Sequence, residues 1–166
     1  MSINTADIQK AIVSAWSSSG LDAIFRAFWS DPLSTDYVTL NDQEASPGQA
    51  FPYCVINQMS STTTDKMSGG ADKLQEVRDI PVTFNVYTRP IAGDSRSIKE
   101  LAAYLAEEIT KVFGGHPTVA PQATLTLDNG SMLPARYQTD YGIRIDDNEY
   151  QWVVSYLMRS DVPVMT

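Results

Sequence analysis

The chain has 166 residues, of which 20 are acidic and 12 are basic, so its net charge at pH 7 is −8, and 43% of its residues are hydrophobic. This length and composition are typical of a single domain, residues 1–166, that can bury a core without the support of metals or disulfides. The negative charge disfavours binding to phosphate backbones and anionic membranes, one cysteine (Cys54) excludes an intrachain disulfide, and no apolar run approaches the ~20 residues of a membrane span.

The first part of the chain predicts helices followed by a buried strand. Apolar residues recur at helical spacing from Ile8 to Trp16 and again from Leu21 to Trp29, and residues 17–20 interrupt the pattern. We expect two short helices with a bend, or one helix broken at this point. A short strand over 36–40 and a polar loop then lead to a strand over 51–59, whose apolar run PYCVI predicts burial on both faces.

A polar segment separates this strand from the next one. Residues 60–73 are rich in Ser, Thr and Gly and have no periodicity, which predicts a mobile loop or an extended hairpin tip. Residues 74–88 return to a strand pattern, in which Pro81 predicts a sheet edge or a bulge nearby because proline cannot donate to the ladder.

The strongest helix prediction covers residues 97–113. Ser97 and Glu100 have the spacing of a capping box, in which each side chain accepts a hydrogen bond from the backbone N–H of the other residue. A continuous apolar stripe follows, and Gly114 and Gly115 supply the C-terminal stop.

The last part of the chain predicts strands and turns. Residues 124–127 alternate, residues 128–130 (DNG) indicate a turn, and 132–145 can pair back as the second arm of a hairpin. A second turn at 146–148 precedes a long strand from Tyr150 to Arg159, apolar on both sides and therefore central in the sheet or buried at an interface. The predicted fold is α+β, a mostly antiparallel sheet with helices packed on one face.

Two groups of residues deserve a test as sites of chemistry. His116, the only histidine, follows the end of the predicted helix, where we expect it to interact with the last carbonyls. Asp140, Asp146, Asp147 and Glu149 could hold a divalent cation or simply form a solvated turn, and their spacing does not match a calcium loop. We assign no catalytic, cofactor-binding or metal-binding residue, and expect a structural protein rather than an enzyme.

Taken in order, several segments resemble the tail terminator (tail completion) family of long-tailed bacteriophages and of related prophages or tail-like particles. The resembling segments are FRAFWSD at the end of the N-terminal helices, FPYCVINQ, EVRDIPVTFNVYT, SIKELAAYLAEEITKVFGG and the closing strand YQWVVSYLMRS. Residues 118–145 match the pattern of this family least well.

This resemblance implies a small subunit of a hexameric ring at the head-proximal end of the tail tube, in the virion and in the host cytoplasm during assembly. Its partners would be other copies of itself, the tail tube protein and the neck or connector protein of the head. DNA would pass through the lumen without specific binding, which the acidic composition favours. No membrane and no cofactor is implied.

A subunit of a closed ring needs two different surfaces for its neighbours. The polar segment 60–73 is a candidate for one of them, or for contact with the tail tube, because its length, polarity and two glycines are typical of loops that adapt on binding. The corresponding partner-binding residues are Met67, Ser68, Gly69, Gly70 and Lys73. An unengaged surface loop is the simpler interpretation.

Three other functions stay open at this stage. A head completion or neck adaptor protein would occupy the next ring toward the head. A small metal-dependent hydrolase or nuclease would use the late acidic cluster, and metal-dependent thermal stabilisation would support it. A ligand-binding α+β domain is the third alternative.

Overall fold

A computed structural model describes residues 5–42, 44–58, 62–68, 74–128 and 135–164. These residues form three helices and six strands in one sheet. In chain order the elements are α1 (Thr5–Ser18), α2 (Leu21–Arg26), β1 (Leu40–Asp42), β2 (Tyr53–Gln58), β3 (Thr62–Ser68), β4 (Leu74–Thr88), α3 (Ile98–Phe113), β5 (Ala135–Arg144) and β6 (Tyr150–Val164). Within this described part, none of the helices has the length and apolar character needed to cross a membrane.

The sheet is mostly antiparallel, as predicted. Its strand order is β1-β2-β4-β6-β5, and β3 pairs with β4 beside this path. Only β1 and β2 are parallel among these pairs. Strand β6 lies between β4 and β5, which confirms the prediction that the final strand is central.

The helices cover one face of the sheet. Alternate residues of β4, namely Ile80, Val82, Phe84 and Val86, are fully buried and belong to one apolar cluster with the helices. Residues of β2 and β6 on the same face complete it, including Cys54, Ile56, Val154, Tyr156 and Met158. Since the side chains of a strand alternate between faces, this arrangement confirms the α+β architecture.

The N-terminal helices form the predicted bent pair. Helix α1 ends at Ser18, and Gly20 takes a positive φ of 85° that lets the chain turn into α2. The ring of Trp16 on α1 packs at 5.1 Å from that of Phe25 on α2, which holds the pair together.

Helix α3 begins with the predicted capping box. The backbone N–H of Glu100 donates to Ser97 Oγ over 3.2 Å, and the N–H of Ser97 donates to Glu100 Oε2 over 2.9 Å. The helix ends at Phe113, followed by Gly114 with a positive φ of 118°.

The prediction of a strand over 36–40 was wrong, since β1 spans only Leu40–Asp42. The reason is that Arg26 engages the preceding backbone. Its guanidinium donates to the carbonyl oxygens of Ser34 (2.6 Å) and Tyr37 (3.1 Å). Carbonyls bound in this way keep the segment in a loop at the end of α2.

The predicted hairpin between 124–127 and 132–145 falls partly outside the described residues, since 129–134 are not described. Strand β5 pairs with β6, across the predicted turn at 146–148. Leu125 and Leu127 are buried, as their alternation predicts, but they enter the helix-packed core. The backbone N–H of Ala123 donates to the carbonyl oxygen of Val112, so the start of this segment lies against the end of α3.

In the segment predicted as a mobile loop or an extended hairpin tip, residues 62–68 form strand β3, which pairs antiparallel with β4 as the hairpin alternative expects. Its Cα register runs from Thr62 opposite Asp79 to Ser68 opposite Leu74, with a shift between Thr63 and Asp65. Three successive threonines, which are β-branched, favour this strand. On β4, residues 82–87 pair with β2 and residues 74–79 pair with β3. Pro81 lies between these two sets, which agrees with the predicted edge or bulge nearby.

Candidate assembly surface

The second face of the sheet, opposite the helices, combines apolar and polar side chains. Val55 and Val153 are buried on this face, yet neither belongs to the helix-packed cluster. Between them, Asn85 Nδ2 donates to the carbonyl oxygen of Val55 over 3.2 Å, and Gln151 Nε2 donates to Asn85 Oδ1 over 3.0 Å. These bonds satisfy a buried amide and fix β2, β4 and β6 relative to one another.

Strand β5 forms one edge of the sheet and carries large apolar side chains that are exposed. Tyr141, Ile143 and Ile145 are 49%, 40% and 46% exposed. Tyr141 lies opposite Val153 and Ile143 opposite Gln151, so both residues are on the second face. Ile145 continues the alternation beyond the strand, and we refer to these three residues as the β5 patch.

The charged residues of β5 are divided between the two faces. Arg136, opposite Leu157, is on the second face and exposed, and Arg144 Nη2 donates to Asp147 Oδ1 over 2.9 Å. Asp140 is on the helix side, where it accepts hydrogen bonds from Trp152 Nε1 (3.1 Å) and from the Tyr137 hydroxyl. The pKa of Tyr137 is raised to about 12, mainly by the hydrogen bond to this carboxylate and secondly by burial. Arg144, opposite Tyr150, is on the helix side like Asp140, so Arg136 is the charged residue of β5 on the second face.

The opposite edge of the sheet, at β1, is acidic and also exposes apolar side chains. Leu33 and Val38 are 88% and 54% exposed, and Asp36, Asp42 and Glu44 are exposed nearby in sequence. No lysine or arginine occurs between residues 27 and 65. We refer to these five residues as the β1 side.

The β1 side is held in place by buried hydrogen bonds beneath it. Trp16 Nε1 donates to Thr39 Oγ1 over 2.9 Å, and Thr39 Oγ1 donates to Asp22 Oδ1 over 2.6 Å. Asp22 also accepts from Arg26, which binds the carbonyls of the loop as described above. The loop that carries Leu33 and Val38 is thus fixed to α1 and α2 through side chains.

An open cleft of about 770 Å³ lies where α2 ends, next to β2 and β4. Its lining includes Phe28, Trp29, Phe51 and Arg89. The Arg89 guanidinium lies 4.0 Å from the centre of the Phe51 ring and 3.3 Å from Glu149 Oε2. The apolar lining of the cleft can accept an apolar side chain, whereas the Arg89 guanidinium is already paired with Phe51 and Glu149.

A smaller cavity of about 270 Å³ between α3 and β5 contains His116. The N–H of Thr118 donates to His116 Nδ1 over 3.2 Å, so the proton resides on Nε2, which donates to Glu107 Oε1 over 2.9 Å. The expected contact with the last helical carbonyls was wrong. Those oxygens have other donors, since Val112 accepts from Ala123 and Gly114 accepts from the Tyr156 hydroxyl.

The late acidic residues do not converge on a cation site. Asp140 is engaged on the helix side, Asp147 pairs with Arg144, and Glu149 pairs with Arg89. Asp146 accepts a hydrogen bond from the N–H of Asn148 within the turn. Among all residues that the structure describes, no three His, Cys, Asp or Glu side chains are grouped closely enough to hold a metal ion.

Of the predicted partner-binding residues, two lie in described structure. Met67 and Ser68 end β3, with their Cα atoms paired to Gln75 and Leu74 of β4. Gly69, Gly70 and Lys73 lie outside the described residues. The β5 patch was not predicted, although its alternation is visible in the sequence, because the sequence does not tell which side of β5 has a neighbour.

The fold defines the chain as an α+β protein with an open sheet, in which β1, β3 and β5 each have one neighbour among the described strands. In comparisons with known proteins, no protein-family model matches the chain and no curated sequence matches it significantly.

Proposed function

We propose that this protein is a structural subunit of a phage-type tail, a tail terminator that forms a ring on the head-proximal end of the tail tube. The observation that supports this best is the order of elements along the chain. The N-terminal helices, β2, β4, the covering helix α3 and the closing strand β6 follow one another in the order of the segments that carry the resemblance, and β3 occupies part of the polar segment between β2 and β4.

The shape of the sheet supports a role in assembly. A closed ring needs two different surfaces on each subunit, and this sheet has β1 and β5 as opposite edges that can serve as such surfaces. The net charge of −8 is compatible with DNA passing through a lumen, because a negative wall repels phosphate rather than retaining it.

A three-stranded arm offers a contact for the tail tube. We define it as β3 with residues 74–79 of β4 and 159–164 of β6. Pairing of β4 with β6 continues for six residue pairs beyond Ile80 and Met158, which are in the helix-packed cluster, over about 20 Å. Met67 and Ser68 lie at the far end of this arm, so we propose that the arm contacts the tube.

The test combines native mass over a range of protein concentrations, electron microscopy, and a tube-capping assay. We expect hexameric rings with an open centre that bind one end of tubes assembled from the tail tube protein and limit tube length. A chain that stays monomeric both alone and with tubes would overturn the proposal. Rings that bind filled heads but never tubes would overturn it in favour of the neck adaptor.

A deletion variant tests the role of the arm separately. Deletion of residues 67–71 shortens the arm away from the core, so we expect the fold and ring formation to persist while tube capping is lost. A control replaces the same five residues with a Gly-Ser linker of equal length, which separates the loss of side chains from the shortening. Normal capping by the deletion variant would contradict the role of the arm.

A further inference from the structure

The side chain of His116 closes the turn that follows α3. It is 7% exposed, and its Nδ1 accepts a hydrogen bond from the backbone N–H of Thr118 over 3.2 Å. This contact has the form of an Asx turn, in which a side-chain acceptor binds the backbone N–H two residues later. Here an imidazole nitrogen takes the place of the Asn or Asp oxygen. The turn that connects α3 to the segment with the buried Leu125 and Leu127 therefore depends on a group that can gain a proton.

The hydrogen bonds of His116 depend on its protonation state. The neutral imidazole has one acceptor nitrogen, and this is Nδ1 because Nε2 donates to Glu107 Oε1 over 2.9 Å. The imidazolium has two donors and no acceptor. The hydroxyl oxygen of Thr118 lies 3.3 Å from Nδ1 and can accept from it. Protonation therefore replaces the bond from the Thr118 N–H by a bond to the Thr118 hydroxyl, and the N–H loses its acceptor.

The groups around His116 are compatible with a positive charge on its ring. Glu107 of α3 contacts Nε2, and Asp140 of β5 lines the same cavity of about 270 Å³. The lining contributed by β6 is a tryptophan, which carries no charge. Tyr137 of β5, whose ring packs against the turn, is uncharged at neutral and acidic pH, since its bond to Asp140 raises its pKa to about 12. Lys111, one turn after Glu107 on α3, is paired with the preceding glutamate of the helix at 2.7 Å.

We propose that His116 is a pH-sensitive switch built into the turn that follows α3. The neutral imidazole holds the N–H of Thr118 and keeps the turn closed, whereas the imidazolium releases this N–H and loosens the turn. Histidine is the side chain that ordinarily changes its charge between about pH 5 and 8, which sets the range for the tests. The inference does not depend on the proposed ring function, because it concerns a contact inside one chain.

The first test locates the proton on the imidazole ring by long-range ¹H–¹⁵N NMR of the full chain, in which His116 is the only histidine. In the neutral ring we expect the proton on Nε2 and a free lone pair on Nδ1, and on acidification a proton on both nitrogens. A neutral ring with its proton on Nδ1 would overturn the inference, because Nδ1 could not then accept from Thr118.

The second test follows the exchange of the Thr118 amide proton with solvent, relative to the intrinsic rate of an unstructured chain at each pH. We expect its protection to fall about two- to tenfold as His116 gains a proton, which corresponds to the loss of one ordinary hydrogen bond. The Arg96 amide is an internal control, since it donates over 2.9 Å to Asp94 Oδ1, a carboxylate two residues before it. If the Thr118 amide were as insensitive to pH as the Arg96 amide, the inference would be wrong.

Two variants show whether His116 itself causes the change. His116→Asn places an oxygen acceptor near the position of Nδ1 that does not titrate, so the Thr118 amide should be equally protected at about pH 5 and about pH 8. His116→Ala removes the acceptor, so protection should be low at both values. A pH dependence in His116→Asn equal to that of the wild type would assign the effect to another group and overturn the inference. If a variant fails to fold, the two wild-type measurements decide.

Discussion

The hydroxyl of Tyr156 donates a 2.6 Å hydrogen bond to the carbonyl oxygen of Gly114, at the place where the end of α3 meets the centre of the sheet. Tyr156 is 1% exposed, and its ring packs edge-on against Phe84 and Phe113. The bond thus gives the carbonyl that follows the helix a partner inside the core. Burial of the ring raises the pKa of this tyrosine well above its ordinary value.

We expect Tyr156→Phe to lower the free energy of unfolding by about 1–3 kcal/mol, because the carbonyl of Gly114 is left buried without its donor. Urea denaturation measures the change. Tyr104→Phe is the control, since its partly exposed hydroxyl has no described hydrogen bond and its ring contact with Phe28 is kept. Equal losses in both variants would contradict the importance of the Tyr156 bond.

Stability should fall at alkaline pH because of buried tyrosines. Burial raises the pKa of Tyr53 to about 12 and also raises the pKa values of Tyr87 and Tyr156. Above pH ~10 the unfolded chain releases these protons and the folded chain retains them, so the free energy of unfolding falls as pH rises. Below pH ~10 this contribution to stability is fully present.

Urea denaturation from neutral pH to about pH 12 checks this expectation. Each such tyrosine contributes a slope of up to about 1.4 kcal/mol per pH unit, and Tyr53→Phe should remove one such contribution. A stability that stays level over this range would show that the folded and unfolded states bind the same number of tyrosine protons.

The carboxylate of Asp140 on β5 raises the pKa of another tyrosine, Tyr137. The hydrogen bond between Tyr137 and Asp140 is the main cause of the raised pKa of Tyr137, about 12. Asp140→Asn removes the negative charge, so we expect this pKa to fall toward 10. Titration of isotope-labelled tyrosine by NMR measures it. Asp147→Asn, at a fully solvated turn position, should leave Tyr137 unchanged, and an equal effect of both variants would contradict the assignment.

The elements that could be predicted from the sequence are those set by local chemistry. The capping box at Ser97 depends on residues three positions apart, and β4 spans the residues over which alternation is visible. The bend between α1 and α2 follows from Gly20, which is close in sequence to both helices. In each case the residues that decide the structure are neighbours along the chain.

The features that could not be predicted depend on distant residues. Arg26 prevents a strand before Leu40, and Glu107 rather than a helix terminus binds His116. The β5 patch is exposed because β5 has a single described neighbour, and strand order is not encoded in alternation. The acidic residues near the last turn illustrate the same limit, since their closeness in sequence does not make their carboxylates converge.

The capping box itself can be tested for its share of stability. Ser97→Ala removes the acceptor for the N–H of Glu100, and we expect a loss of about 0.5–2 kcal/mol in the free energy of unfolding. Ser95→Ala, two residues earlier and exposed, is the control and should change stability by less than about 0.5 kcal/mol. Urea denaturation measures the free energy of unfolding of both variants. Similar losses in the two variants would mean that the cap contributes little to stability.

In the turn after α3, both the backbone conformation and a nearby side chain favour glycine at position 115. Gly115 has a φ of 99°, and a Cβ placed there would lie 2.5 Å from the Tyr137 ring. Gly93 has a comparable φ of 84° with no atom within 4 Å of such a Cβ. The two positions therefore share the backbone penalty and differ only in the steric contact.

We expect Gly93→Ala to cost about 1–2 kcal/mol, the penalty of a left-handed conformation for a residue with a Cβ. Gly115→Ala should cost more, since the Tyr137 ring must also move away from its place between the turn and Tyr156. Thermal or urea denaturation measures both values. If Gly115→Ala were no more destabilising than Gly93→Ala, the Tyr137 ring would have room to move, and only the backbone conformation would select glycine at this turn.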